Sequence, residues 1–447
     1  MSIARLERLT AAFFMFSTSL GMGFLFTFVI KRDLVLLVDL LMITLYGLWF
    51  YRTNGFAGQK LVLKPFGLLA LLMMFWATVS LIPAKALQAT AIGVFLIIKA
   101  FLAYFYFINN IKTRQTLLLM VNMLMLTLLF QGFVSVAQKT LGRPLGLSFL
   151  GEKITNLGKD LSRMRGTLGF PNQYGAFVIL LLPMAISLSV FVKRSWYKVF
   201  LIVTTSFGLA GLFLSLSRSS WAGFLLGMVC FTFIMFRRGL LKPKFIVAIV
   251  VMIAVVAGVA FANMDTIEAR FESGADGSWR ELMVGISIPM IKDNPVFGVG
   301  LFNYQYHSFH IFKFWHPVHN TFLRLASETG ILGALLFIIT IIVVLKESYK
   351  MAMKNDGLLS AVATGVFCGY VAFVVAINFG PQYQHYRIKL LFFILAAFAF
   401  AMPRIQWYEK KKVQWQHRKR MAAQQKNGVN EDRQPNIVSN HAGEMRI

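Results

Sequence analysis

The sequence predicts an all-α, polytopic integral membrane protein of about 12 transmembrane helices, with a large helical loop on the outer face between the ninth and tenth spans. Three observations carry this. Hydrophobic residues make up 57% of the 447 residues and charged residues only 14%, against roughly 45–50% and about 25% in soluble domains. The mean hydropathy is +0.66. The apolar residues also gather into runs close to the roughly 20 residues that cross a bilayer. Water-soluble, disordered and fibrous classes are excluded. So is a disulfide framework: Cys230 and Cys368 both sit inside apolar runs, and no CxxC spacing exists for zinc or redox chemistry.

Taken in order, the runs fall near 9–30, 34–51, 65–83, 88–109, 115–137, 173–192, 198–216, 219–236, 244–263, 328–346, 357–378 and 387–403. They give five spans within 1–137, a loop over 138–172, four spans within 173–263, a second loop over 264–327, three spans within 328–403 and a polar tail over 404–447. Arg5 and Arg8 precede the first run and no small-residue cleavage site follows it, so it reads as a retained helix and not a signal peptide. The tail lacks hydrophobic periodicity and reads as a disordered, lipid-surface-hugging end.

Lys and Arg number 45 against 18 Asp and Glu, a net charge of +27. In a soluble chain that excess would point to nucleic acid. Here it is spread over alternate short connections: Arg52/Lys60/Lys64, Lys112/Arg114, Lys193/Arg194/Lys198, Arg237/Arg238/Lys242/Lys244 and Lys346/Lys350/Lys354. That is the pattern of cytoplasmic loops. Membrane lipids are the implied partner, nucleic acid is not, and both termini fall in the cytoplasm. The two long loops lie opposite. They carry Arg143, Arg163, Arg165, Arg270, Arg280, Lys313 and Arg324 among other cations. Long loops escape the charge rule, so these are either solvated surface or a site for an anionic substrate. The motifs favour the site.

Ser278 followed by Glu281 is a capping box that starts a helix. Arg280 then lies in a first turn, where free N–H groups and the dipole attract phosphate. Trp279, Leu282, Met283, Ile286 and Met290 recur at helical spacing and give a face suited to the membrane surface. Asp293-Asn294-Pro295 stops the helix. Pro317 is favoured at a first helical position, so a second helix starts there and leads into the span after Glu328. His319 falls in its opening turn, which disfavours an imidazolium and leaves a general base at the membrane boundary. From Tyr304 and Tyr306 to Trp315 the chain is dense in rings, either an interface belt or a sugar-binding face. The pairs His307/His310 and His316/His319 invite a metal reading, but no carboxylate lies within them and Pro317 interrupts the second. The connection Ser215–Trp221 is short enough to leave Arg218 near membrane depth, where charge needs a partner, either headgroups or a held anion. Gly166, Gly169, Pro171 and Asn172 demand a fixed turn that aims Arg165 inward.

Four segments in this order resemble the O-antigen ligase/polymerase family of bacterial membrane glycosyltransferases: RGTLGFPNQYGA (165–176), SLSRSSWAG (215–223), WRELMVGISIPMIKDNPVFGVGLFNYQYH (279–307) and HNTFLRLASETGILG (319–333). The likeness covers the chain from about 165 to 400, and the first five spans carry none of its motifs. It implies a GT-C-like multi-pass protein of the bacterial inner membrane with its active site facing the periplasm. It further implies a glycan passed from an undecaprenyl-pyrophosphate-linked donor to lipid A–core or to a growing glycan, with no metal or nucleotide cofactor, in company with other polysaccharide-assembly proteins. Onto this sequence it carries Arg218, Arg280 and His319 as catalytic residues. Arg165, Asn172, Asn320, Tyr304, Tyr306, Trp315 and Glu328 complete the candidate substrate-binding set, Glu328 either orienting His319 or pairing with an arginine.

The chemistry of the residues agrees. Pyrophosphate gathers negative charge as the C1–O bond breaks, and one preorganised donor in a dry site is worth ~3 kcal/mol. Arginine suits this better than lysine, because its planar fork binds phosphate oxygens bidentately and stays charged. His319 would accept the proton of the attacking hydroxyl, with inversion at C1. Ligase and polymerase share these motifs; the reading leans to ligase. Two rivals of other classes are a transporter or flippase of lipid-linked glycan, using the intramembrane charges Lys99 and Asp39, and a metal-dependent membrane hydrolase using the histidine pairs.

Overall fold

A segment apolar on every face has no solvent side, and the central helices of this molecule are of that kind. The computed structural model describes residues 2–20, 37–150, 152, 163–240, 258, 275–313, 316–354 and 357–431, with backbone alone at 149, 275–280, 311–312 and 419–431. Among these residues the chain is all-α. The helices are α1 (Ile3–Ser17), α2 (Leu37–Arg52), α3 (Lys64–Val79), α4 (Leu87–Asn110), α5 (Arg114–Leu141), α6 (Pro171–Phe191), α7 (Ser195–Leu214), α8 (Arg218–Arg237), α9 (Ala275–Asp293), α10 (Tyr304–Phe312), α11 (Thr321–Ala352), α12 (Gly357–Ile377) and α13 (Tyr386–Glu431). Eight of them, α4 to α8 and α11 to α13, are long and apolar enough to cross a membrane. This is a polytopic membrane protein, but the described residues do not reach the expected twelve spans. Of the first three expected spans, that at 65–83 corresponds to the 16-residue α3, those at 9–30 and 34–51 lie partly outside the described residues, and the span at 244–263 lies outside them except for Gly258.

The core forms where helices approach closely. In α6 every residue from Tyr174 to Ala185 is buried. In α12 the small residues Gly365 and Gly369 face Met184 and Leu180 of α6, and a Cβ at 369 would lie 2.6 Å from the Leu180 carbonyl oxygen. Gly227 of α8 meets the Cys368 carbonyl in the same way, at 2.9 Å, and Gly223 meets Ala372. Small residues four apart allow such backbone contact between apolar helices. Rings fill the space between α11, α12 and α13, with Phe337 4.3 Å from Tyr383 and Tyr370 4.7 Å from Phe392 by centroid.

Three local expectations are corrected. First, α9 begins at Ala275, so Arg280 is not in its first turn. Met283, Ile286 and Met290 of its apolar face pack against Val299, Tyr304 and Val318 instead of lying on the membrane surface. Second, α11 starts at Thr321 and not at Pro317: the Asn320 side chain accepts from the N–H groups of Phe322 at 2.9 Å and Leu323 at 3.0 Å, and a cap satisfying two orphan donors outweighs the weaker preference of proline. Third, the tail is helical through Glu431. Residues 403–447 form a unit separate from 1–402.

The feature that positions the site is a break in α11. Gly330 has φ 71°, ψ 174°, a region open essentially to glycine alone. The backbone groups freed there are taken up by the preceding loop: Val299 N–H donates to Ser327 O at 2.9 Å, Gly300 N–H to Glu328 O at 2.9 Å, and Ile331 N–H to Pro295 O at 2.8 Å. Trp76 Nε1 of α3 donates to Thr329 O at 2.8 Å. The loop is pinned to α4 as well. The Asn303 side chain accepts from Ala86 N–H at 2.7 Å and donates to Thr90 Oγ1 at 2.6 Å.

Candidate active site

Where α4, α6, α11 and α13 begin, the helix ends diverge around a cavity of about 1020 Å³. Its wall is polar for a membrane bundle. Asn172 and Gln173 come from the start of α6, and Phe302, Gln305 and Tyr306 from the pinned loop and α10. His316, His319 and Arg324 come from the entry to α11, and Gln382, Gln384, His385 and Tyr386 from the turn before α13.

Each wall segment is held by a nameable cause. The turn leading to α6 is fixed by buried amides. Gln138 pairs with Gly166 through both its oxygen and its nitrogen, at 3.1 and 3.0 Å, and Gln131 accepts from Thr167 N–H at 3.1 Å. Arg387 Nη1, buried at the start of α13, donates to Thr167 O at 2.7 Å and to Ser19 O at 2.9 Å. Arg163 ties this turn to the next motif, donating to Asn172 Oδ1 at 2.7 Å, Ser215 O at 3.0 Å and Leu216 O at 3.3 Å. It therefore joins a cavity-lining asparagine to the connection that precedes Arg218.

The structure brings His319, Asn172 and Tyr306 together around one cavity. Asn320 stands beside His319 as the cap of α11. Glu328 lies behind the wall, fully buried, and accepts from Arg324 Nε at 2.9 Å, so of the two roles foreseen for it the arginine partner is the one seen. Tyr304 does not reach the cavity: it is 0% exposed, with its hydroxyl donating to Met283 O at 3.1 Å. Arg165 and Arg218 are half-buried and do not line the cavity. Arg280 is placed in α9 by its backbone only, and Trp315 lies outside the described residues.

The sequence reading missed Arg324 as a wall residue, and with it the whole turn from Gln382 to Tyr386. The signal was present: Arg387 and Lys389 stand inside an apolar run, and charge in such a run marks function more often than packing. Lys99 and Asp39 carry the same signal. They form an ion pair at 2.6 Å, with Tyr386 Oη donating to Asp39 Oδ1 at 3.0 Å. Since Tyr386 lines the cavity, this pair buttresses its wall. Outside the spans, burial holds His307 below the ordinary imidazole value, with Lys85 and His310 pushing the same way. Among the described residues no group of three or more His, Cys, Asp or Glu is placed to hold a metal ion.

Residues 203–338 match the family described as O-antigen ligase. Over this stretch the chain is similar to that family. The matched stretch runs from α7 into α11 and holds three of the four motifs. The motif at 165–176 lies outside it, yet Phe170, Asn172 and Gln173 line the same cavity as His319. A search among curated proteins finds no match. That likeness, in a multi-pass membrane bundle, suggests a glycosyltransferase-like enzyme.

Proposed function

We propose that the protein transfers a glycan from an undecaprenyl-pyrophosphate-linked donor to an acceptor sugar hydroxyl at the periplasmic face of the inner membrane, as an O-antigen ligase. The observation that carries this reading is the convergence of His319, Asn172 and Tyr306, from three separate motifs, on one 1020 Å³ cavity at a single end of the bundle. That volume suits a sugar unit together with a diphosphate, given that ligand pockets of roughly 300–1,000 Å³ hold small molecules.

In the proposed reaction the imidazole of His319 accepts the proton of the acceptor hydroxyl as its oxygen attacks C1. The C1–O bond to the pyrophosphate breaks on the opposite face, and the anomeric centre inverts. Arg218 and Arg280 are assigned the departing diphosphate, although Arg218 stands off the cavity wall and would have to turn into it. Arg163 supports the placement of Arg218 by fixing the carbonyls of Ser215 and Leu216 relative to Asn172. Tyr306, with its ring 4.2 Å from that of His310, offers a face on which a pyranose can stack.

The His319→Ala protein is expected to bind lipid-linked donor as the native protein does and to transfer none of it. Native turnover by this variant in purified form would remove His319 from the reaction. Acceptor choice is read in the same assay. With lipid A–core offered beside a second donor, one addition marks a ligase and a ladder marks a polymerase. Movement of donor across proteoliposomes without joining would mark a flippase.

A further inference from the structure

Behind the cavity wall, three ionisable side chains are buried together. Arg324 is 5% exposed, Glu328 0% and Lys389 1%. Arg324 lines the cavity. Lys389 lies one helical turn beyond His385, another lining residue, whose carbonyl accepts its backbone N–H at 3.0 Å. The two cations share one ring: Arg324 Cζ and Lys389 Nζ each stand 5.6 Å from the centroid of Phe302. Phe302 is itself held at φ 61°, a conformation that a bulky residue adopts only when its surroundings impose it.

The charges in this cluster do not balance. One carboxylate faces two cations, and its Oε2 has no hydrogen-bond partner among the described residues. Burying net positive charge in an apolar bundle is costly unless an anion arrives to compensate it. The cavity is where one can arrive. Glu328 engages Arg324 through Nε, which fixes the guanidinium plane and leaves the Nη groups as donors for the side that lines the cavity. That is the edge with which arginine grips phosphate oxygens.

We propose that Arg324, oriented by Glu328 and backed by Lys389, is an anion subsite at the inner end of the cavity that takes a phosphate of the lipid-linked donor; this rests on the transferase reading above. Arg324 contacts the ligand, whereas Glu328 acts through Arg324 as a positioning residue. The subsite is additional to the clamp assigned to Arg218 and Arg280.

The test is binding, with the full-length protein in nanodiscs titrated with undecaprenyl pyrophosphate and, separately, with undecaprenol. The native protein is expected to prefer the pyrophosphate. Arg324→Gln should weaken pyrophosphate binding at least ~10-fold, the loss of a charge-assisted contact, and leave undecaprenol binding unchanged. Arg324→Lys keeps the charge and the partner for Glu328, so it holds the fold even where loss of that partner would disturb it, and should weaken pyrophosphate binding several-fold. Glu328→Gln should weaken it without altering undecaprenol binding. Native-like pyrophosphate binding by both Arg324 variants overturns the subsite and leaves the transferase reading standing. A native protein that binds the alcohol and the pyrophosphate equally overturns the transferase reading, and the subsite with it.

Discussion

At the scale of single residues, His307 shows what burial does to a polar group in this bundle. It is 9% exposed on α10, with Nε2 buried and no partner among the described residues. Burial, Lys85 and His310 all disfavour its charged form. Its folded value therefore lies below the 6.5 of a free imidazole, and as pH falls the unfolded chain takes up the proton first. Stability from this group is intact above about 6.5 and is lost as pH drops from there through the folded value. Melting temperatures of the native protein and of His307→Gln, compared from pH 7.5 to pH 5, should diverge in acid, with the native protein falling further. Parallel curves would show that His307 is not the titrating group. What could be read from the sequence here was residue type and neighbourhood. Tyr304 and Tyr306, two residues apart on one helix, looked equally fit to hold sugar, but only the packing of α10 on α9 decides that Tyr304 turns to Met283 and Tyr306 to the cavity.

At the scale of elements, hydropathy located the long helices well because a helix that faces lipid or other helices has no water side and leaves a continuous apolar run. It missed the break in α11 for a definite reason. Glycine is tolerated within membrane helices, so a Gly330 between Thr329 and Ile331 looks like any other, and the hydrogen-bond partners of the freed backbone groups lie some thirty residues upstream. Once the loop Pro295–Gly300 is seen bonded to Ser327, Glu328 and Ile331, the two motifs NPVFGVG and ASETGILG become one structural unit. The same unit presents Glu328 to Arg324 and Phe302 to the cavity. Gly330→Ala should therefore be severe. It places a side chain at φ 71° and drives its Cβ into the Val296 carbonyl, a combined cost on the order of 3 kcal/mol or more. A marked loss of melting temperature with loss of transfer is expected. Asn320→Ala, which removes a helix cap, should cost about 1 kcal/mol and serves as the mild comparison for stability. Equal, small effects in both variants would mean that the break carries no constraint.

At the scale of the whole molecule, the cavity and the basic connections occupy opposite ends of the same helices. The cavity is lined from the starts of α4, α6 and α13 and the entry to α11. Lys112 and Arg114 follow the end of α4, and Lys193 and Arg194 follow the end of α6. If basic connections stay in the cytoplasm, the cavity must open outward, where a lipid-linked glycan already carried across the membrane would meet its acceptor. Arg143, exposed just past the end of α5, belongs to the cavity end, because Gln138 of that helix bonds Gly166 in the turn that leads to Asn172. Single cysteines test this in a protein carrying Cys230→Ser and Cys368→Ala. On cells with a permeabilised outer membrane, an impermeant maleimide should label Arg143→Cys at once and Arg194→Cys only after the inner membrane is broken. The reverse order would turn the cavity toward the cytoplasm and deny it any acceptor in the periplasm. The cation cluster around Arg324 would then face nucleotide-rich cytosol, and the chemistry proposed for His319 would have to be sought on that side.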